Sequence, residues 1–409
     1  MAEPAPWTPW RAVVAVGVVS LAADMVYEGM RAVAGPFLGS LGASALTVGL
    51  VTGAGEAVAL VLRLLTGPWA DRSGRHWALT VTGYAMTAVC VPLLAVAPFL
   101  GAAGLGVAAA LILLERTGKA VRSPSKSALL ARMTAQTGRG RGFAVHKALD
   151  QVGAFAGPLL LAGALAVTDR YWPGFALLAV PGVGSLLLLA QLRRRVPSLT
   201  RPEPGDEAGD EPGDGEPRGL RATVLGAGLP RVFHLFSLAA ALTTAGLMTF
   251  GVISYRMVDA GVVDAAAIPL VYAGAMAVEA VGALATGELF DRWGPRVLLL
   301  VPVLTAAVPL TVFSDRLGLV VVGVVLWGAA TGVQDSTVKA YVAGLVASAR
   351  RATAYGVFAA VQGVGALGGG ALAGALVTSH RSLLVAVVGA LQVAAAALLV
   401  LTSRSVRPA

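Results

Sequence analysis

The sequence predicts an all-α membrane protein of twelve spans built as two similar six-helix halves, and three observations carry that reading. The chain of 409 residues is 56% hydrophobic and 13% charged, with a mean hydropathy of +0.77. No soluble domain of this size needs so much apolar surface, so lipid is the solvent for most of it. Twelve apolar segments are long enough to span: residues 12–36, 45–68, 77–98, 104–130, 142–167, 173–192, 232–257, 266–289, 297–313, 318–345, 352–377 and 382–403. Finally, one signature, G-x-x-x-D-R-x-G, closes two of those segments 220 residues apart. Its first copy holds Gly67, Asp71, Arg72 and Gly74, its second Gly287, Asp291, Arg292 and Gly294. Upstream the spacing is kept: Val51, Ala57, Val58, Val61, Leu64 and Thr66 recur as Val271, Ala277, Val278, Val281, Leu284 and Thr286.

In chain order, the first segment follows Arg11 and carries Asp24, Glu28 and Arg31, so it is expected to stay in the protein and not to be cleaved. Segments 5 and 11 echo each other, Phe143, Val145, Gly153, Ala154 and Gly157 matching Tyr355, Val357, Gly365, Ala366 and Gly369. Two halves, residues 1–196 and 231–409, related by a pseudo-two-fold axis along the membrane normal, are the expected outcome. Residues 197–230 join them. Six prolines and seven acids there cannot bury a core, which predicts a disordered cytoplasmic tether.

The net charge of +9 invites a nucleic-acid reading, and its distribution refutes it. Nineteen arginines fall at the ends and loops that share a side with residue 1, whereas Arg170, Arg316 and Arg381 are alone on the other. Such asymmetry is the positive-inside rule and places both termini in the cytoplasm of a bacterial cell. Cys90 stands alone and the four histidines are scattered, so neither a disulfide nor a metal cluster is expected. No phosphate-binding G-x-x-x-x-G-K-[ST] occurs and no cofactor is called for.

Segments 3, 6, 9 and 12 carry no charge in their apolar spans and are expected to face lipid. A charge in hydrocarbon costs about 2.5–3.5 kcal/mol, so the charged segments should face protein or a water-filled path. On helix 1, Asp24, Glu28 and Arg31 share a face with Tyr27 beside them. On helix 4, Glu115, Lys119, Arg122 and Lys126 share a face with Arg116 adjacent. Helix 5 offers His146, Lys147, Asp150 and Gln151, helix 10 Gln334, Asp335 and Lys339, and helices 2 and 8 one mid-span acid each, Glu56 and Glu279. The chain has only four lysines, 119, 126, 147 and 339, and all lie within or at the inner ends of spans. Buried lysines can lose a proton where arginines cannot, although simple pairing with Glu115, Asp150 and Asp335 explains them equally well. His146 and Asp150 at i, i+4 suit a proton relay, or less readily half a metal site.

The paired loop signature resembles that of the major facilitator superfamily, where it joins the second and third helices of each half. The resemblance covers almost the whole chain and implies a secondary transporter whose helices 1, 4, 7 and 10 line a central path. It implies that Asp71, Arg72 and Arg75 latch one access state, with a weaker second latch because Pro295 replaces Arg75. Gly67 would allow close helix contact. On helix 4, Glu115-Arg116-Thr117-Gly118-Lys119 resembles a family arginine motif linked to proton coupling, and Pro124 should bend or interrupt that helix. On helix 5, Gly153, Gly157 and Pro158 resemble the core of the family's antiporter motif, although small-x-x-x-small also packs any two membrane helices.

Together these imply alternating access, with proton-coupled antiport exporting a small organic compound as the favoured reading. Asp24, Glu28, Glu115 or Asp335 would carry the proton, and Arg116, Lys119 and Lys339 would hold the acids ionised until substrate or protons displace them. Uptake or facilitated passage of an organic anion is the rival, suggested by the cationic face of helix 4. An intramembrane enzyme using His146, Asp150 and Glu115 is remote, because no nucleophile–base–orienter set accompanies them. The expected partners are the bilayer, a small-molecule substrate and protons, with no nucleic acid, and the working assumption is a monomer.

Overall fold

The computed structural model of the protein describes residues 7–134, 139–196, 228–346 and 350–405. Among them there is no strand, and twelve helices are long and apolar enough to cross a membrane. They are α1 Pro9–Ser40, α2 Ala45–Ser73, α3 His76–Phe99, α4 Gly101–Thr134, α5 Arg141–Thr168, α6 Tyr171–Arg195, α7 Arg231–Asp259, α8 Ile268–Phe290, α9 Gly294–Val312, α10 Leu317–Ser336, α11 Thr353–Leu376 and α12 Arg381–Ser403. Each coincides with one apolar segment of the sequence. The expected tether lies, up to residue 227, outside the described residues.

Local chemistry sets the helix ends. Ser44 caps α2, its hydroxyl accepting from the Thr47 amide at 3.2 Å. Gly74 and Gly294, the last residues of the two signature copies, take φ of +60° and +62° where their helices stop, a conformation that favours glycine. By contrast Gly67 and Gly287 face open space, so the first glycine makes no close helix contact, contrary to expectation. The helix containing α4 also runs through Pro124 without interruption.

One break was not foreseen. The α7 helix stops at Leu247 and restarts at Phe250. Met248 between them has φ +61° and ψ 170°, a region that is essentially glycine's alone. The Trp327 indole donates to the freed Met248 carbonyl at 3.4 Å, and Thr249 and Thr52 share a hydroxyl bond of 2.7 Å.

By packing, the chain falls into two compact units: residues 1–31 with 65–216, and residues 32–64 with 217–409. In the first, α5 lies on α1 through two glycines: a Cβ on Gly153 would sit 2.2 Å from the Leu21 carbonyl oxygen, and one on Gly157 2.1 Å from that of Met25. In the second, α11 lies on α7 in the same way, Gly365 at 2.4 Å from the Ala241 oxygen and Gly369 at 2.2 Å from that of Ala245. The contact is duplicated residue for residue, as the repeat predicts.

Residues 32–64 join the second unit through a further small-residue seam. A Cβ on Gly49 would lie 2.1 Å from the Gly370 oxygen, one on Gly370 2.3 Å from the Gly49 oxygen, and one on Gly374 2.5 Å from the Ala45 oxygen. Backbones at this distance gain van der Waals contact and Cα–H···O bonds that larger residues forbid. The division therefore falls between residues 216 and 217, within the linker, and also at residues 31/32 and 64/65.

The enclosure of the helices does not follow their charge: the apolar window of α7 is 78% buried and that of charge-free α3 50%, against 33% for charged α2, α4 and α8, although charge-free α12 is the least enclosed at 22%. Exposed Val89, Leu93 and Val96 on α3, and Val180, Val183 and Leu187 on α6, fit lipid-facing surfaces.

Gly49→Val is expected to lower stability by about 1–3 kcal/mol through overpacking, seen as a reduced thermal-unfolding midpoint in detergent, while Gly67→Ala leaves the midpoint unchanged or higher. At the α7 break, Met248→Gly should unfold no earlier than wild type, and Met248→Val, β-branched at positive φ, should unfold earlier.

Candidate functional site

The polar groups of the first unit form one connected chain, and close backbone contact makes it possible. Where α3 crosses α4, a Cβ on Gly83 would lie 2.4 Å from the Gly118 oxygen, and one on Gly118 2.9 Å from the Gly83 oxygen. This brings Thr87 of α3 against two turns of α4. Its hydroxyl donates to Glu115 Oε1 at 3.0 Å and accepts from Arg122 Nη1. Glu115 is fully buried, Arg116 Nε stands 3.7 Å from its Oε2, and that oxygen has no hydrogen-bond partner.

Arg116 reaches α1, where Nη1 donates to the Tyr27 hydroxyl. Tyr27 is the hub of the cations: Arg116 lies 4.4 Å, Lys119 3.7 Å and Arg31 5.9 Å from its ring centroid. Arg31 pairs with Glu28 at 3.8 Å. Lys119 has no carboxylate at ion-pair distance among the described residues, so the tyrosine ring faces a cation whose charge no acid matches.

From Arg122 the chain continues toward the ends of α4 and α5. The Arg122 guanidinium covers the Tyr84 ring at 4.9 Å, and the Tyr84 hydroxyl meets Ser20 of α1 at 2.9 Å. Lys126 donates to Ser20 at 3.3 Å and stands 3.9 Å from Asp150 Oδ2. His146 Nε2 lies 3.9 Å from the same oxygen, while His146 Nδ1 and Asp150 Oδ1 have no partner. Asp24 sits in the electrostatic reach of Asp150, Lys126, Arg122 and Glu28.

Ten expected residues thus gather in one half: Asp24, Tyr27, Glu28, Arg31, Glu115, Arg116, Lys119, Arg122, His146 and Asp150. Lys126 pairs with Asp150 as the simpler reading of the lysines had it, whereas Lys119 turns to Tyr27 and away from Glu115. Lys147 is exposed. No group of three or more His, Cys, Asp or Glu suited to a metal occurs among the described residues.

The other expected residues lie apart from this chain. Asp335 is exposed and makes no ion pair among the described residues, and the Lys339 and Asp291 side chains lie outside those residues. Glu56 and Glu279 are half-buried in the second unit. There Gln334 donates to Thr244 at 2.7 Å and Gln362 to the same hydroxyl at 3.5 Å. Gln334 Oε1 is buried without a partner, so this half offers neutral donors and acceptors one turn from the α7 break. Asp71, Arg72 and Arg75 are exposed and form no ion pair among the described residues; Arg292 pairs only with Glu288 of its own helix. Gly153 and Gly157 serve close packing on α1, and Pro158 follows them, buried, in the same helix.

Sequence reasoning missed Ser20, Tyr84 and Thr87, the hydroxyls that connect the charges. A signal was present: Thr80, Tyr84 and Thr87 recur at i, i+4, i+7 on α3, and all three are buried. The search for charge passed over them.

Comparison with known proteins agrees with this architecture. The family model described as Major Facilitator Superfamily matches residues 16–277 and 235–409. Uncharacterized proteins of Mycobacterium bovis and Mycobacterium tuberculosis are each 50% identical to the chain over 387 residues, covering 94% of it and 91% of their own length. Among solved structures, the nucleoside transporter NupG has a TM-score of 0.72 at 15% identity, covering 95% of this chain and 98% of that one. A bacterial homolog of the human lysosomal transporter Spinster, inward-facing and occupied, has a TM-score of 0.67 at 18% identity, covering 98% and 100%. These likenesses show the fold, and the family is one of transporters, not enzymes. The chain is a multi-pass membrane protein and belongs to the major facilitator superfamily.

Proposed function

We propose that this secondary transporter couples movement of a small organic compound to protons by alternating access, in a bacterial cell membrane with both termini cytoplasmic. The observation that carries the reading is the unbroken chain from His146 through Asp150, Lys126, Ser20, Tyr84, Arg122, Thr87 and Glu115 to Arg116 and Tyr27. Such a chain has no need of so many titratable groups for stability alone, since apolar replacements of buried ion pairs are often neutral or better. It contains acids with an unbonded oxygen, Glu115 Oε2 and Asp150 Oδ1, where a proton can be accepted. Arg116 stands beside Glu115, and a ligand that draws Arg116 away leaves that acid without its cation. Competition of that kind links substrate to proton without long-range machinery.

Exchange of protons for an exported compound is the first reading of this coupling. Its sequence support, the glycine pattern of α5, is met by packing that recurs at Gly365 and Gly369, so the geometry adds nothing to it. A second reading, passage of an organic anion, has a specific observation in its favour: Lys119, Arg116 and Arg31 converge on Tyr27, and Lys119 has no acid at ion-pair distance among the described residues. An anion there would take the cations from the acids and travel with the proton.

Proteoliposomes with an entrapped pH dye separate these outcomes. A panel of organic cations, monocarboxylates and dicarboxylates is loaded inside and its outward gradient drives flux. Exchange acidifies the lumen; co-movement with an anion makes it alkaline. Either response should be lost in Glu115→Gln and in Asp24→Asn, with substrate binding retained. Flux without any dye response, or an undiminished response in both variants, contradicts proton coupling through these acids.

A further inference from the structure

The first unit has a second feature that transport does not use. Between the start of α3 and the end of α6, on the side shared with the N-terminus, lies a cavity of about 640 Å³. That volume falls within the roughly 300–1,000 Å³ of ligand pockets. Its walls are apolar, formed by Val81, Ala85, Leu186 and Leu189, and its end is cationic, formed by Arg193 and Arg194. Both helices are charge-free through their apolar spans and expose large aliphatic side chains, so the cavity opens on a surface that acyl chains bathe.

The polar groups at this end are all donors. Arg193 and Arg194 are exposed and have no carboxylate at ion-pair distance among the described residues. Trp77 lines the same cavity and is 8% exposed, with its indole Nε1–H buried away from that opening. Two arginines at a helix C-terminus alone would be ordinary dipole compensation. The apolar volume beside them, on a face that acyl chains bathe, is what that reading leaves over.

An occupant must therefore bring acceptors and negative charge to one end and hydrocarbon to the other. A free phosphate would leave the apolar walls uncovered, and a soluble organic anion would not reach a lipid-facing cleft. We propose that this cavity binds one anionic phospholipid, its phosphodiester on Arg193 and Arg194 and an acyl chain along Val81, Ala85, Leu186 and Leu189. Basic pockets between membrane helices at the inner face suit such head groups. The site is distinct from the polar chain around Tyr27 and stands whether or not protons are coupled.

Native mass spectrometry of the purified full chain, titrated with phosphatidylglycerol or phosphatidylcholine, tests this. One phosphatidylglycerol should be retained in preference to phosphatidylcholine. Arg193→Ala with Arg194→Ala should weaken retention on the order of tenfold or more. Ala85→Phe, which fills the cavity and leaves both arginines, should also weaken it; Arg231→Ala with Arg296→Ala, an equal loss of charge elsewhere, should not. Unchanged retention in either cavity variant, equal retention of both lipids, or displacement by glycerol phosphate would overturn the assignment. The arginine variant changes only exposed side chains, so it keeps the test valid if Ala85→Phe misfolds.

Discussion

A charge carried into hydrocarbon has to find its partner inside the bundle, and the rest of this structure is arranged around that demand. Each unmatched charge would cost about 2.5–3.5 kcal/mol on insertion, and the first unit holds Asp24, Glu28, Arg31, Glu115, Arg116, Lys119, Arg122, Lys126 and Asp150 on three helices. They are accommodated because hydroxyls and aromatic rings stand between them: Thr87 between Glu115 and Arg122, Tyr84 and Ser20 between Arg122 and Lys126, Tyr27 beneath three cations. Glycine contacts bring the helices close enough for these short links. Without the approach of Gly83 to Gly118, Thr87 could not serve Glu115 and Arg122 together.

The duplicated architecture and the chemistry it carries have separated. Gly153 and Gly157 on Leu21 and Met25 correspond to Gly365 and Gly369 on Ala241 and Ala245, so both units pack by the same backbone contacts. What fills the space differs. The first unit is filled with ion pairs, the second with Thr244, Gln334 and Gln362 beside a broken helix. The shared glycines set the packing of both units, and the side chains that are not shared set the chemistry of each.

The twelve helices, their limits and the internal repeat were legible because apolar length and periodic charge are strong one-dimensional signals. So were the charged faces of α1 and α4, since i, i+4, i+7 spacing survives folding. Partner choice was not legible. Lys119 and Glu115 share a face, yet the lysine lies on Tyr27 because a ring from another helix is nearer than the acid on its own. Charge-free α3 read as lipid-facing, and one of its faces is, but its buried threonine and tyrosine stripe serves the polar chain. The α7 break escaped because Met248 carries no glycine or proline signal; its strain is held by the surrounding packing and by the Trp327 indole. Asp335 is exposed, and the side chain of Lys339, four residues on, lies outside the described residues.

Infrared difference spectroscopy of the protein reconstituted in lipid, between neutral and acid pH, tests the central claim most directly: the buried acids of the first unit take up a proton reversibly. The account predicts a carboxylic-acid carbonyl band that appears on acidification and loses intensity in variants lacking Glu115 or Asp24. A band identical in wild type and in both variants would contradict it.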